Sequence, residues 1–292
     1  MIQINHLKKT FGKNRKPVLN DINLTIKTGD FYGIFGKNGA GKSTLFKLIL
    51  GLQQPTDGTI LINERKVSFN KEIGYLPENI AVYPHLNVRD NLIVSALCAD
   101  YKLSPNELKN ILISINLLEH QKIKAKDLSL GMKRRLQFAM ATMIKPTSIL
   151  ILDEPTNGLD INGVLWLRDY LKNLHKDNKT ILICSHSLDT MEELITNYCI
   201  MKDGKIMTQG NWNQNNYSMY EVIFQDTITK QLQQKLKQLG EITHITSHKA
   251  IVRSENSIMT FIMQLHMMKF PVKDVNKYHE KLEDIFIESV NI

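Results

Sequence analysis

Nine residues constrain this chain more than any other feature. Gly36-Lys37-Asn38-Gly39-Ala40-Gly41-Lys42-Ser43-Thr44 satisfies the pattern G-x-x-x-x-G-K-[ST], between a strand-like run, Asp30 to Phe35, and an apolar helical stretch, Ser43 to Leu52. Small residues in such a loop let consecutive backbone N–H groups close around an anion, and the helix beginning near Lys42 adds the positive end of its dipole. Lys42 then reaches the β- and γ-phosphates of a nucleotide, while Ser43 offers a hydroxyl to Mg²⁺. Gly36, Asn38, Gly39, Ala40, Gly41 and Thr44 complete the cradle. Strand, glycine loop and helix in this order call for an α/β fold.

A second element supplies the chemistry. Ile149-Leu150-Ile151-Leu152-Asp153-Glu154 is a buried-type strand ending in two carboxylates. Asp153 is placed to hold Mg²⁺ through water, and Glu154 to polarise a water for attack on the γ-phosphate. Adjacent residues of a strand point to opposite sides, so the two carboxylates can serve different partners.

Other strand-like runs, Ile2 to Leu7, Ile22 to Ile26, Thr59 to Ile62, Thr180 to Cys184 and Tyr198 to Lys202, alternate in part with helical patterns such as Gly163 to His175. A mainly parallel sheet with crossover helices follows, with a helix-rich stretch over Val88 to Ile144. A cluster of Gly, Asn and Gln between Gly204 and Tyr217 marks a boundary, placed between residues 213 and 214. Beyond it the pattern reads βαββαβ, a small split-βαβ domain.

Net charge changes at the same place. Residues 1–210 carry 28 Lys and Arg against 20 Asp and Glu, whereas residues 211–292 carry 9 of each. A basic first part suits nucleic acid, an anionic membrane surface or phosphorylated ligands alike. No apolar run approaches the ~18 residues of a membrane-spanning helix, and the N-terminus lacks a secretory pattern, so a cytoplasmic chain is expected. Cys98, Cys184 and Cys199 form no CxxC pair and read as packing residues. Met259, Met263 and Met267, at helical spacing, read as core, and the Lys122, Lys124, Lys126 series and the Lys133-Arg134-Arg135 run read as solvated faces.

Leu128-Ser129-Leu130-Gly131-Met132-Lys133-Arg134-Arg135, just before the Asp153-Glu154 strand, resembles the signature motif of ATP-binding cassette (ABC) proteins. Further matches follow in the family's order over roughly residues 1–215. Phe11 stands at the aromatic position that stacks on adenine. Glu78 in Gly74-Tyr75-Leu76-Pro77-Glu78 takes the glutamine-loop position, where it can bind Mg²⁺ or water. Asn157-Gly158-Leu159-Asp160 matches the D-loop, and Ser185-His186 the switch histidine. Lys37 replaces the common Pro, Leu130 and Met132 replace the usual Gly and Gln, and Glu78 replaces Gln.

The resemblance implies an ABC-type P-loop NTPase with a mainly parallel core sheet, an antiparallel β subdomain and a helical subdomain, plus a small α+β C-terminal domain. It implies ATP and Mg²⁺ as cofactors and a head-to-tail dimer, homomeric or with a second ATP-binding subunit. Each nucleotide would lie between one chain's glycine loop and the other's Ser129 and Gly131. Glu154 and His186 would be catalytic, and Asp160 would connect the two sites. A separate transmembrane permease is implied, with the chain peripheral at the inner face of the membrane, and no nucleic acid is expected. The signature and the YLPE loop are similar to those of bacterial subunits that export drugs, bacteriocins or peptide toxins, or confer immunity to them. A peptide-sensing module without transport, or an ABC ATPase acting on ribosomes or DNA, are the alternatives.

Overall fold

The computed structural model describes residues 1–12, 16–67, 73–79, 81–142, 147–185, 192–212, 218–278 and 281–291. The chain forms two compact units, Met1–Asn211 with Phe286–Ile292, and Trp212–Ile285. Among the described residues no helix is long and apolar enough to cross a membrane.

The first unit opens with β1 (Ile2–Lys9) and β2 (Leu19–Ile26), which pair antiparallel. With β4 (Asp57–Ile62) and β5 (Arg65–Lys66) they make a four-stranded antiparallel sheet. Between β2 and β4 lie β3 (Phe31–Gly36) and α1 (Lys42–Ile49). β3 belongs to a second sheet with β6 (Ile73–Leu76), β7 (Ile149–Asp153), β8 (Thr180–Cys184), β9 (Asn197–Lys202) and β10 (Lys205–Asn211). Its order is β10-β9-β3-β8-β7-β6, with every pairing parallel except β10 on β9. β3, β7 and β8 are buried at every residue. Strands covered on both faces read as unbroken apolar runs, which is why ILILD and TILIC stand out in the sequence.

Two strands depart from the sequence reading. β6 reads in the sequence only as part of a loop, because four residues with a Gly carry little pattern. It forms because Gly74 lets the strand press against the helix over Leu130–Thr142: a Cβ there would come within 2.2 Å of the Ala141 carbonyl oxygen. The Gly-, Asn- and Gln-rich boundary also begins inside a strand. Residues 205–211 alternate between exposed and half-buried on β9 as an antiparallel edge, a position that asks little of side-chain propensity.

The helical subdomain is built from α2 (Val88–Cys98), α3 (Pro105–Ser114) and α4 (Leu130–Thr142). Asn87 caps α2, and Ser104 with Glu107 forms a capping box on α3, with Pro105 in its first turn. Val88, Leu92, Leu108, Leu112, Leu128 and Leu136 fill its core. Then α5 (Ile161–Lys176), capped by Asp160, crosses between β7 and β8. Cys184 and Cys199 are buried as expected, but Cys98 is exposed at the end of α2.

In the second unit, β11 (Ser218–Phe224), α6 (Lys230–Leu236), β12 (Glu241–Ile245), β13 (Lys249–Ser254), α7 (Ile258–Met267) and β14 (Val272–Tyr278) follow the βαββαβ order; α8 (Leu282–Asn291) comes last in the chain. The strands form one antiparallel sheet, β12-β13-β11-β14, so β13 lies between the two strands that α6 connects. The expectation of a methionine core fails. Met259, Met263 and Met267 are 71%, 61% and 78% exposed, while Phe261 and Leu265 are buried. Both rows repeat every four residues, and a two-residue offset puts them about 200° apart on a helix. The aromatic row wins the core because Phe261 stacks on Tyr220, ring centroids 4.4 Å apart.

Phe261→Ala is therefore expected to cost about 3–5 kcal/mol, close to all that a core of this size supplies. Amides of β11 and β13 should lose hydrogen-exchange protection, whereas Met263→Ala should leave them unchanged.

Candidate active site

β3, β6, β7 and β8 deliver their C-terminal ends to one edge of the parallel sheet, where open α/β sheets bind ligands. The loop leaving β3 turns into α1 at Gly41. Its φ of 102° favours glycine, and a Cβ there would meet Leu19 Cδ2 at 2.6 Å and the Val18 carbonyl oxygen at 3.0 Å. No side chain caps α1 among the described residues, so its first-turn N–H groups are not taken by a cap. The Lys42 ammonium, 8% exposed, is held across the loop by the carbonyls of Gly36 at 2.6 Å and Lys37 at 3.2 Å.

A cleft of about 290 Å³ is lined by Asn38, Gly39, Ala40, Gly41, Lys42, Ser43 and Thr44 on one side, and by Glu78, Asp153, Glu154 and Cys184 on the other. Asp153 is 4% exposed. Burial raises its carboxyl above the usual carboxylate range, and the negative charge of Glu78 adds to this. A hydrogen bond from Ser43 and the charge of Lys42 act in the opposite direction. Crowded carboxylates beside a hydroxyl are an all-oxygen donor set, which suits Mg²⁺. Among the described residues no three His, Cys, Asp or Glu side chains converge into a metal cage, so such an ion would draw ligands from phosphate as well.

Glu154 is 3% exposed and has a left-handed backbone, φ 48°. A non-glycine residue there costs about 1–3 kcal/mol and persists only where its surroundings hold it. Its N–H donates to the Cys184 carbonyl at 2.9 Å, its own carbonyl accepts from the Arg134 guanidinium, and the Cys184 thiol lies 3.8 Å from Oε1. Burial pushes that thiol well up, keeping it protonated as a donor.

The signature and D-loop residues gather elsewhere. Ser129 Oγ accepts from the Met132 N–H at 3.2 Å at the start of α4, and Asp160 accepts from the Gly163 N–H at 2.7 Å at the start of α5. A Cβ on Gly131 would lie 3.8 Å from the Gly158 carbonyl, and the Leu130 side chain covers Gly158. None of these positions lines the cleft of its own chain. Phe11, 41% exposed, also lies outside the cleft lining, with the Lys9 ammonium 5.0 Å from its ring centroid. His186 lies outside the described residues.

The basic run is not a solvated face. Lys133 donates to the Lys126 carbonyl, Arg135 stacks over Trp166, and Arg134 is 1% exposed with its donors on backbone carbonyls at the cleft. Taken as one charged stretch, the three residues conceal the signal. Arg134, Phe138 and Ala141 are spaced i, i+4, i+7, which places the arginine on the helix's apolar stripe. Lys122, Lys124 and Lys126 are exposed, as expected.

Residues 19–157 match the family model for ABC transporters. The lantibiotic transport ATP-binding protein SrtF of Streptococcus pyogenes is 35% identical over 73% of this chain and 92% of its own length. An uncharacterized ABC transporter ATP-binding protein of Bacillus subtilis (strain 168), YcbN, is 31% identical over 100% of this chain and 97% of its own. The dimeric structure of the ATP-binding cassette MJ0796, in a post-hydrolysis state with ADP and Pi, superposes with a TM-score of 0.65 at 25% identity, over 73% of this chain and 99% of that one. Glycine loop, twin carboxylates and family likeness agree: this chain belongs to the ABC transporter family as an ATP-binding, ATP-hydrolysing subunit.

Proposed function

We propose that this chain powers a separate membrane permease that exports peptides, toxins or drugs, or gives immunity to them. The observation that carries the chemistry is the single cleft gathering Lys42 and Ser43 with Asp153 and Glu154. Support for the cargo class comes from the likeness to SrtF, whose name records lantibiotic transport.

In this reading the backbone N–H groups of residues 38–44 bind the phosphates, Lys42 neutralises the terminal pair, and Phe11 stacks on the base. Ser43 and Asp153 would hold Mg²⁺, with Glu78 nearby, and the ion would supply charge neutralisation at the phosphates. Glu154 takes the proton of the attacking water. His186 would orient the same water. Ser129 and Gly131, at the start of α4, would complete the site of a partner cassette, homomeric or not, because a helix N-terminus favours the γ-phosphate. Asp160 would link the two sites. The permease would dock on residues 78–101, next to the loop that senses the metal, holding the chain at the inner face of the membrane. Residues 214–292 would be an accessory domain.

Tagged chain purified from its native membranes in mild detergent should bring down a multi-span protein in stoichiometric amount, crosslinking within residues 78–101. Ribosomal proteins or nucleic acid in that place would overturn the transport reading and leave the nucleotide chemistry intact. Crosslinks confined to residues 211–292 would contradict the docking site.

A further inference from the structure

We infer that Arg134 is a positioning residue: its guanidinium clamps the Glu78 loop to the backbone of Asp153 and Glu154, and so holds the base in its working position. The inference rests on the reading of Glu154 as that base.

The reason for a clamp lies where the sheet stops. β6 and β7 pair in parallel from Ile73 opposite Ile149 to Leu76 opposite Leu152. The residue after β6 is Pro77, which has no N–H to donate, and the ladder ends there, one residue short of Asp153. Arg134 spans the two segments at that point. Its Nη1 donates to the carbonyls of Pro77 at 2.8 Å and Glu78 at 3.0 Å. Its Nη2 donates to the carbonyls of Asp153 at 3.1 Å and Glu154, and Nε lies 3.4 Å from the Pro155 carbonyl. One rigid fork thus reaches five carbonyls on two chain segments, a geometry that a lysine's single ammonium cannot reproduce.

A neighbour one turn on extends the clamp. Gln137 accepts from Nη1 at 3.0 Å and donates to the Asn79 carbonyl at 2.9 Å, bracing the far side of the Glu78 loop. The second end of the clamp falls on Glu154, whose left-handed backbone must be held from outside. Its N–H is fixed by Cys184 and its carbonyl by Arg134. Burying a guanidinium to 1% exposure is unfavourable, and the carboxylates of Asp153, Glu78 and Glu154 offset part of that cost. The clamp is carried on α4, the helix that begins at the signature residues. Any displacement of its first turn by a partner's nucleotide is thereby delivered to the base and the Glu78 loop of its own chain.

The test is steady-state ATP hydrolysis by the full chain with its partners, for Arg134→Lys, Gln137→Met and Glu154→Gln. Arg134→Lys should lower kcat roughly 100-fold, as expected when a reacting group is misplaced by about an ångström. KM for ATP should stay within about 3-fold, because no phosphate contact is touched. Gln137→Met should lower kcat by a smaller factor at the same KM. In a Glu154→Gln background, Arg134→Lys should still bind ATP and dimerise, which a merely structural residue would not permit. Should Arg134→Lys fail to fold, Gln137→Met decides: a fall in kcat at constant KM supports the clamp, and an unchanged kcat overturns it. Hydrolysis lost in Glu154→Gln yet undiminished in Arg134→Lys overturns this inference alone. Undiminished hydrolysis in Glu154→Gln overturns the assignment of the base and the clamp with it.

Discussion

Glu154→Gln is expected to lose ATP turnover by about 10²- to 10⁴-fold, the usual contribution of a positioned general base, while ATP still binds. The substitution keeps size and shape in a place that tolerates little change: the side chain is 3% exposed beside the Cys184 thiol, and its backbone is left-handed. An amide cannot take a proton from water, but it leaves the loop contacts of Lys42 and Ser43 untouched. Binding and chemistry should therefore separate. Phosphate release should disappear, ATP affinity should change little, and ATP should drive the variant into a long-lived dimer on size-exclusion chromatography. Release at the wild-type rate would remove Glu154 from the mechanism and require another base at the cleft.

Lys42→Met is expected to fail one step earlier. Charge-assisted hydrogen bonds contribute about 1.5–3 kcal/mol, so ATP affinity should fall roughly 10- to 150-fold. The thioether fills much of the volume, yet it supplies neither charge nor donor. It also leaves the Gly36 and Lys37 carbonyls without the ammonium that holds the loop across itself. Titration with ATP, followed calorimetrically, should show the loss, and hydrolysis should fall with it. The two variants together assign binding to the loop after β3 and chemistry to the end of β7. Equal ATP affinity in Lys42→Met and the unaltered chain would overturn the first of these.

The parallel sheet is legible because strands buried on both faces leave unbroken apolar runs, and the loop because its glycines are needed wherever a backbone must approach an anion. β6 is not legible. Its four residues owe their place to Gly74 against α4 and to the partner strand β7, both distant in sequence. The methionine row misleads for a related reason: two rows on α7 have the same period, and which one faces inward is decided by the core it meets, where Phe261 stacks on Tyr220. Arg134 lies in plain view inside a charged run, but its burial depends on five carbonyls from residues 77–78 and 153–155.

The nucleotide chemistry, the α/β class and the succession of most elements, β6 and β10 apart, are legible in local patterns: spacing in the loop, period in the helices, apolar runs in the strands. Only the tertiary structure shows which helix faces are buried, that Asp153 and Glu78 share one cleft with the loop, and that an arginine from α4 donates to the backbone carbonyls of Asp153 and Glu154. Those outcomes depend on groups far apart in the chain meeting at hydrogen-bond distance, which no local pattern specifies. A charged side chain is exposed by default, and the burial of Arg134 is offset by carbonyls left over at the end of a sheet and by the carboxylates beside them.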